Sequence, residues 1–83
     1  MNFTEILNYL EHRLVTVTNG IFYISGLLYK DNNLYSVFVT ETTDKRYANV
    51  DFTIESIESI NVTENEFLPN VSESKRYTIL LKG

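Results

Sequence analysis

The chain has 83 residues, a net charge of −4, 13% aromatic residues and no cysteine. This length favours a single domain over residues 1–83, and the aromatic content argues against intrinsic disorder. The absence of cysteine excludes disulfides, thiol nucleophiles and cysteine-based zinc sites.

The charge is unevenly distributed along the chain. Residues 41–73 carry eight acidic side chains against two basic ones, whereas the last ten residues carry three basic side chains and no acidic one. An acidic middle repels phosphate backbones, so generic nucleic-acid binding is disfavoured. The N-terminus has no basic leader or apolar signal region, and no apolar run approaches about 18 residues. We therefore expect a cytoplasmic protein that is neither secreted nor inserted in a membrane.

Residues 2–13 predict an amphipathic helix. Its apolar positions recur at steps of three and four, at Phe3, Ile6, Leu7, Leu10 and Leu14. Asn2 and Glu5 have the spacing of a capping box. His12 and Arg13 would fall in the last turn, where positive charge is favourable.

From residue 14 the apolar period changes to alternation, which predicts a β meander over residues 14–63. Asn19-Gly20 predicts a tight hairpin between strands at 14–18 and 21–29. Gly26 lies inside the second strand, where a glycine often marks a bend or bulge. A third strand is expected at 34–42, after a polar turn.

The second half of the chain continues the meander. A strand is expected over residues 47–53, and the three-residue spacing of Ile54, Ile57 and Ile60 predicts a short 3-10 turn at Glu55-Ser56. A strand over 59–63, a polar loop over 64–75 and a final strand over 76–82 complete the chain. Because no connection is long enough for a crossover, we expect antiparallel pairing throughout.

Both faces of the second strand carry apolar side chains. Ile24 and Leu28 point to one face, and Leu27 and Tyr29 point to the other. One face must fill the interior. The other is either covered by the N-terminal helix or exposed for a partner.

These features together resemble the SH3-like small barrels and, within them, the Sm-like family. The resemblance covers residues 3–62 and is carried by the helix, the hairpin at Asn19-Gly20, the bend at Gly26, the polar turn at 31–33 and the segment 50–60. It implies a mostly β fold, a small antiparallel barrel of five to six strands with an N-terminal α-helix.

The same resemblance implies a candidate RNA site. In the Sm-like family an acidic residue and an asparagine near the turn between the second and third strands hold a base, and Asp31 and Asn33 resemble that pair, with Tyr35 available for stacking. The family has a basic motif near its fourth strand, where this chain has Thr53-Ile54-Glu55. RNA binding is therefore the disfavoured alternative to a plain turn role for Asp31 and Asn33.

The residues that usually carry catalysis are few. His12 is the only histidine, and the sequence has no glycine-rich phosphate loop and no paired-histidine spacing. We expect no enzyme activity, no cofactor and no metal. The six tyrosines suit either strand packing or a contact surface. The candidate binding residues are Tyr23, Tyr29, Asp31, Asn33, Tyr35 and Glu55.

The leading hypothesis is a non-enzymatic binding module. Its composition is typical of phage or bacterial accessory proteins, which suggests that it inhibits a host protein or sequesters a small ligand. Self-association into a homo-oligomer would fit either role. The alternatives are an Sm-like RNA-binding ring and a structural subunit of a larger assembly.

Overall fold

The structure is a computed structural model that describes residues 2–43, 45–64 and 75–83. Helix α1 (Phe3–Leu10) is followed by strands β1 (Leu14–Thr18), β2 (Tyr23–Asp31), β3 (Leu34–Thr42), β4 (Asn49–Phe52), β5 (Ile57–Glu64) and β6 (Lys75–Leu81), with a 3-10 turn at Ile54–Ser56. The prediction of a mostly β fold with an N-terminal helix is confirmed. Of the predicted loop 64–75, only the two end residues are described, and both belong to strands; residues 65–74 lie outside the described residues.

Helix α1 begins as predicted and ends earlier. The Asn2 side chain accepts a hydrogen bond from the Glu5 backbone N–H at 2.9 Å, which is the cap expected from the sequence. The helix stops at Leu10 because the next residues pair with β2: the His12 N–H donates to the Leu28 carbonyl at 2.7 Å, and His12 adopts a φ of 66°. The prediction that His12 and Arg13 form the last helical turn is therefore wrong.

The six strands form one sheet in the order β4-β3-β2-β1-β6-β5. Every neighbouring pair is antiparallel except β1 with β6, which runs parallel through Thr16↔Thr78, Val17↔Ile79 and Thr18↔Leu80. The prediction of antiparallel pairing throughout is wrong at this pair. A parallel pair needs a long connection, and here all of residues 19–74 serve as that connection.

The sheet is strongly curled but is not closed into a barrel. Strands β4 and β5 lie at opposite edges, although only residues 53–56 separate them. The edges of a flat six-stranded sheet would lie about 24 Å apart, whereas the chain from Phe52 to Ile57 can span at most about 18 Å. The sheet must therefore bend its edges toward each other. The predicted closed barrel is corrected to a curled, open sheet.

The core lies between α1 and the inner face of the sheet. Leu7 and Leu10 of the helix are fully buried, and so are the inward side chains of the central strands, among them Val15, Val17, Ile24, Leu28, Val37 and Ile79. Ile24 and Leu28 belong to this face. The helix therefore covers the inner face and leaves the outer face, with Leu27 and Tyr29, exposed.

Of the two glycines singled out in the sequence, Gly26 lies at a bulge as predicted, whereas Gly20 lies in a longer loop than predicted. The β2–β3 register shifts between Ser25 and Gly26, which is a bulge. Gly20 has a φ of +93°, in a hairpin whose loop, residues 19–22, is closed by the Thr18↔Tyr23 pair. This loop is longer than the predicted tight turn, because β2 begins at Tyr23. Within the loop, the Asn19 side chain accepts a hydrogen bond from the Ile21 N–H at 3.0 Å.

Candidate functional site

The outer face of the sheet carries an apolar patch, defined by Leu14, Leu27, Tyr29 and Phe38. Leu14 pairs with Leu27, and Leu27 pairs with Phe38, so their side chains form a row across β1, β2 and β3. The Tyr29 ring lies edge-on to Phe38, with 5.6 Å between centroids. The four side chains are exposed by 62, 39, 41 and 53% respectively. Large apolar groups clustered at this exposure are typical of contact surfaces.

The next row along the strands is polar, and its three central side chains are small. The register joins five residues across five strands: Asn61, Thr78, Thr16, Ser25 and Glu41. We call Thr16, Ser25 and Thr78 the hydroxyl trough. The Thr16 and Ser25 hydroxyls lie 2.8 Å apart and share a hydrogen bond. The trough lines a groove of about 1040 Å³.

Tyr23 and Glu41 lie at one end of this groove. The Tyr23 hydroxyl donates to Glu41 Oε1 at 2.9 Å. This hydrogen bond, together with the negative charge of Glu41, raises the pKa of Tyr23 above its ordinary value, and the positive charge of Arg76 opposes the rise. The charge of Arg76 therefore influences the Tyr23 hydroxyl at this end of the groove. Because the pKa of Tyr23 is raised, its hydroxyl remains protonated and donates a hydrogen bond at neutral pH.

Basic side chains outnumber acidic ones in the lining of the groove. Arg13, Lys75 and Arg76 line it, against Glu41 and Glu64, so its lining has a net positive charge on a chain whose total is −4. Glu64 lies opposite Lys75 in the register of β5 and β6, where its negative charge offsets one of the positive charges. The Arg13 guanidinium lies over the Tyr9 ring, 4.5 Å from its centroid.

The sequence-predicted site residues do not come together. Tyr23 and Tyr29 lie on the outer face, whereas Asp31 and Asn33 are exposed around the β2–β3 turn. Tyr35 is only 1% exposed. Its ring stacks on Phe52 in the core at 5.8 Å between centroids.

The prediction that Tyr35 belongs to the contact surface is therefore wrong, because its side chain is buried in the core. Successive residues of a strand point to opposite faces, and β3 buries Tyr35 and Val37 while Phe38 is exposed. Phe38 is hard to identify as a surface residue from the sequence because apolar side chains occupy both faces of β3. No local pattern in β3 could have identified it, because Val37 and Phe38 are adjacent and both apolar.

Glu55 belongs to the 3-10 turn and not to the groove lining. Its own backbone N–H and the Thr53 hydroxyl bond to the carboxylate and lower the pKa of Glu55, with a smaller contribution from the charge of Lys82. Hydrogen bonds of this kind stabilise a turn. The contacts of Glu55 are thus local to the connection between β4 and β5.

A second exposed apolar group lies at the β1–β2 hairpin. Ile21 is 89% exposed in the loop, and the neighbouring Phe22 ring stacks on Tyr47 at 4.7 Å between centroids. This group projects from the end of the sheet and is separate from the apolar patch.

Comparison with known proteins finds no matching family, no matching curated protein and no matching solved structure. In the part of the chain that the structure describes, no helix combines the length and the apolar character needed to cross a membrane. Residues 2–43, 45–64 and 75–83 also contain no cluster of three or more potential metal ligands.

Proposed function

We propose that the protein is a non-enzymatic binding module that holds a partner protein against the apolar patch. The supporting observation is the exposure of the row Leu14, Leu27 and Phe38, with Tyr29 packed against Phe38, on the face that α1 leaves uncovered. By occluding a surface of its partner, such a module acts as an inhibitor, a role that suits an accessory protein of a phage or a bacterium.

The surroundings of the patch indicate the kind of partner. Interfaces typically have an apolar, aromatic centre and a polar rim. On the β4 side the patch is bordered by Asn49, which pairs with Phe38, and by Asp51, whose carboxylate accepts hydrogen bonds from Ser36 at 2.7 Å and from Asn49 at 2.9 Å. Since the chain also carries a net charge of −4, a partner with an apolar centre and a basic rim fits best.

The aromatic side chains would supply much of the binding energy. Phe38 exposes 53% of its surface, and covering that area would contribute about 2 kcal/mol. Tyr29 would add a comparable contact and keep its hydroxyl available at the rim. These two residues are the expected hot spots of the interface.

Capture of a partner with a basic rim should depend on the patch. We expect Phe38→Ser to weaken the captured complex by about tenfold or more, measured as partner recovered from host lysate and then as affinity for the purified partner. Val62→Ser is the matched control, because Val62 is 54% exposed on the opposite face, beside Tyr77. Equal loss from both variants, or no loss from Phe38→Ser, would contradict the proposal.

Self-association belongs to the same proposal. Strands β4 and β5 form the edges of the sheet, and an unpaired edge can add a strand from a second copy. A homo-oligomer built this way would leave the outer face free and would present several patches to the partner.

RNA binding in an Sm-like ring is the second candidate. The helix, the bulge at Gly26 and the 3-10 turn before β5 support this family resemblance. Against it, Tyr35 is buried and cannot stack on a base, and an exposed carboxylate, Glu55, occupies the position where the family has a basic motif. We therefore place the partner-protein hypothesis first.

A further inference from the structure

We propose that the groove over the hydroxyl trough is a separate binding site for a nucleotide-sized phosphorylated ligand. The hydroxyl trough lies beside the apolar patch on the outer face, and the groove extends from it to Tyr9 of α1. The inference does not depend on the partner-protein hypothesis. It rests on three properties of the groove: its shape, its hydrogen-bonding groups and its charge.

The shape follows from the sizes of neighbouring side chains. Thr16, Ser25 and Thr78 are small and lie side by side on three adjacent strands. Leu14 and Leu27 border them toward the patch, and Tyr23 on β2 and Leu80 on β6 border them toward the hairpin, with Thr18 of β1 between these two. Small residues bordered by larger ones on most sides leave a depression. Its volume of about 1040 Å³ is ample for a ligand of nucleotide size.

The trough presents groups that both donate and accept hydrogen bonds. A threonine or serine hydroxyl has one donor and two acceptor sites, and the bond between Thr16 and Ser25 uses only part of this capacity. The Tyr23 hydroxyl and the Glu41 carboxylate lie at the end of the row. This combination suits the hydroxyl groups of a sugar.

The net positive charge of the groove lining favours an anionic ligand. Glu64 offsets Lys75 across the β5–β6 pair, which leaves Arg13 and Arg76 against Glu41 among the charged groups lining the groove. Arg76 lies on β6 two residues before Thr78, and its charge influences Tyr23. A guanidinium beside several hydroxyl donors is a favourable arrangement for a phosphate.

Aromatic rings add a stacking surface to these properties. Tyr9 and Tyr77 line the groove near Arg13, with 6.1 Å between their ring centroids. Tyr77 packs against the core on the inner face, so the ring that can stack on a planar base is that of Tyr9, which is 50% exposed. A ligand with a base, a sugar and a phosphate therefore matches each chemical feature of the groove, whereas a bare phosphate or a nucleoside matches only some of them.

Titration of the purified protein with AMP, followed by amide chemical shifts, tests this site. We expect saturable shifts centred on Thr16, Ser25 and Thr78, weaker binding at higher salt, and markedly weaker binding of adenosine and of inorganic phosphate. Arg76→Ala should weaken AMP binding by about tenfold or more, and Arg76→Lys should restore part of it.

Lys30→Ala is the matched control, because it removes the same charge from an exposed position outside the groove lining. It should leave the affinity for AMP unchanged. The proposal is overturned if AMP does not bind, if adenosine or phosphate binds as tightly as AMP, or if Lys30→Ala and Arg76→Ala have equal effects. Phe38→Ser should not change AMP binding, so failure at this site can be distinguished from failure of the apolar patch.

Discussion

Gly26→Ala is expected to destabilise the protein by about 3 kcal/mol or more, or to prevent folding. A Cβ atom at this position would lie 1.8 Å from the Phe38 carbonyl oxygen and 2.8 Å from its carbonyl carbon. These are backbone atoms of the paired strand, so a side-chain rotation cannot relieve the overlap. The substitution would force β2 and β3 apart at the bulge. The resulting loss of unfolding free energy would be measured by chemical denaturation.

Gly20→Ala is the control for this prediction. Gly20 has a φ of +93°, and a Cβ atom at this position would have no neighbour within 4 Å. Alanine there would adopt a strained backbone conformation without a steric clash. The substitution should therefore lower the free energy of unfolding by about 1–2 kcal/mol. The account of the bulge would be contradicted if Gly26→Ala were no more destabilising than Gly20→Ala.

Tyr35→Ala is expected to cost about 3–5 kcal/mol of folding free energy, because it removes a large side chain from the core and leaves a cavity. Tyr29→Ala removes the same atoms from the outer face, where Tyr29 is 41% exposed against 1% for Tyr35. Its cost should be about 1 kcal/mol or less. Thermal or denaturant unfolding of the two variants gives the comparison directly.

The two tyrosine variants should also differ in partner capture. Tyr29→Ala should weaken capture while the protein remains folded, since Tyr29 belongs to the apolar patch. Comparable destabilisation by the two variants would mean that the two faces of the sheet are assigned wrongly.

Much of the fold can be predicted from local patterns in the sequence. The third strand, residues 34–42, is confirmed at both ends, and the 3-10 turn falls at the predicted isoleucine spacing. The cap at Asn2 and the bulge at Gly26 are confirmed as well. Each of these depends on neighbouring residues or on the conformational freedom of one residue.

The features that sequence reasoning missed depend on contacts between distant residues. The parallel β1–β6 pair joins segments more than fifty residues apart, and no local pattern distinguishes it from an antiparallel closure. The end of α1 at Leu10 depends on pairing of His12 with Leu28. The hydroxyl trough needs the register of three strands at once, since Thr16, Ser25 and Thr78 are unremarkable individually.

Tyr35 shows why the candidate site was only partly predictable. Both faces of β3 carry apolar or aromatic residues, so alternation alone does not decide which one is inside. The position of α1 decides it, because Leu7 and Leu10 cover the inner face. The side on which a helix packs is a tertiary property.

The central claim is that α1 covers one face of the sheet and leaves the apolar patch exposed on the other. Thiol labelling tests it most directly, because the chain has no cysteine and each introduced cysteine is the single reactive thiol. At low protein concentration we predict rapid labelling of Phe38→Cys and labelling of Val37→Cys that is slower by about 100-fold or more, since a buried thiol reacts only when the structure opens. Protection of Phe38→Cys, or equal rates at the two adjacent positions, would contradict the account.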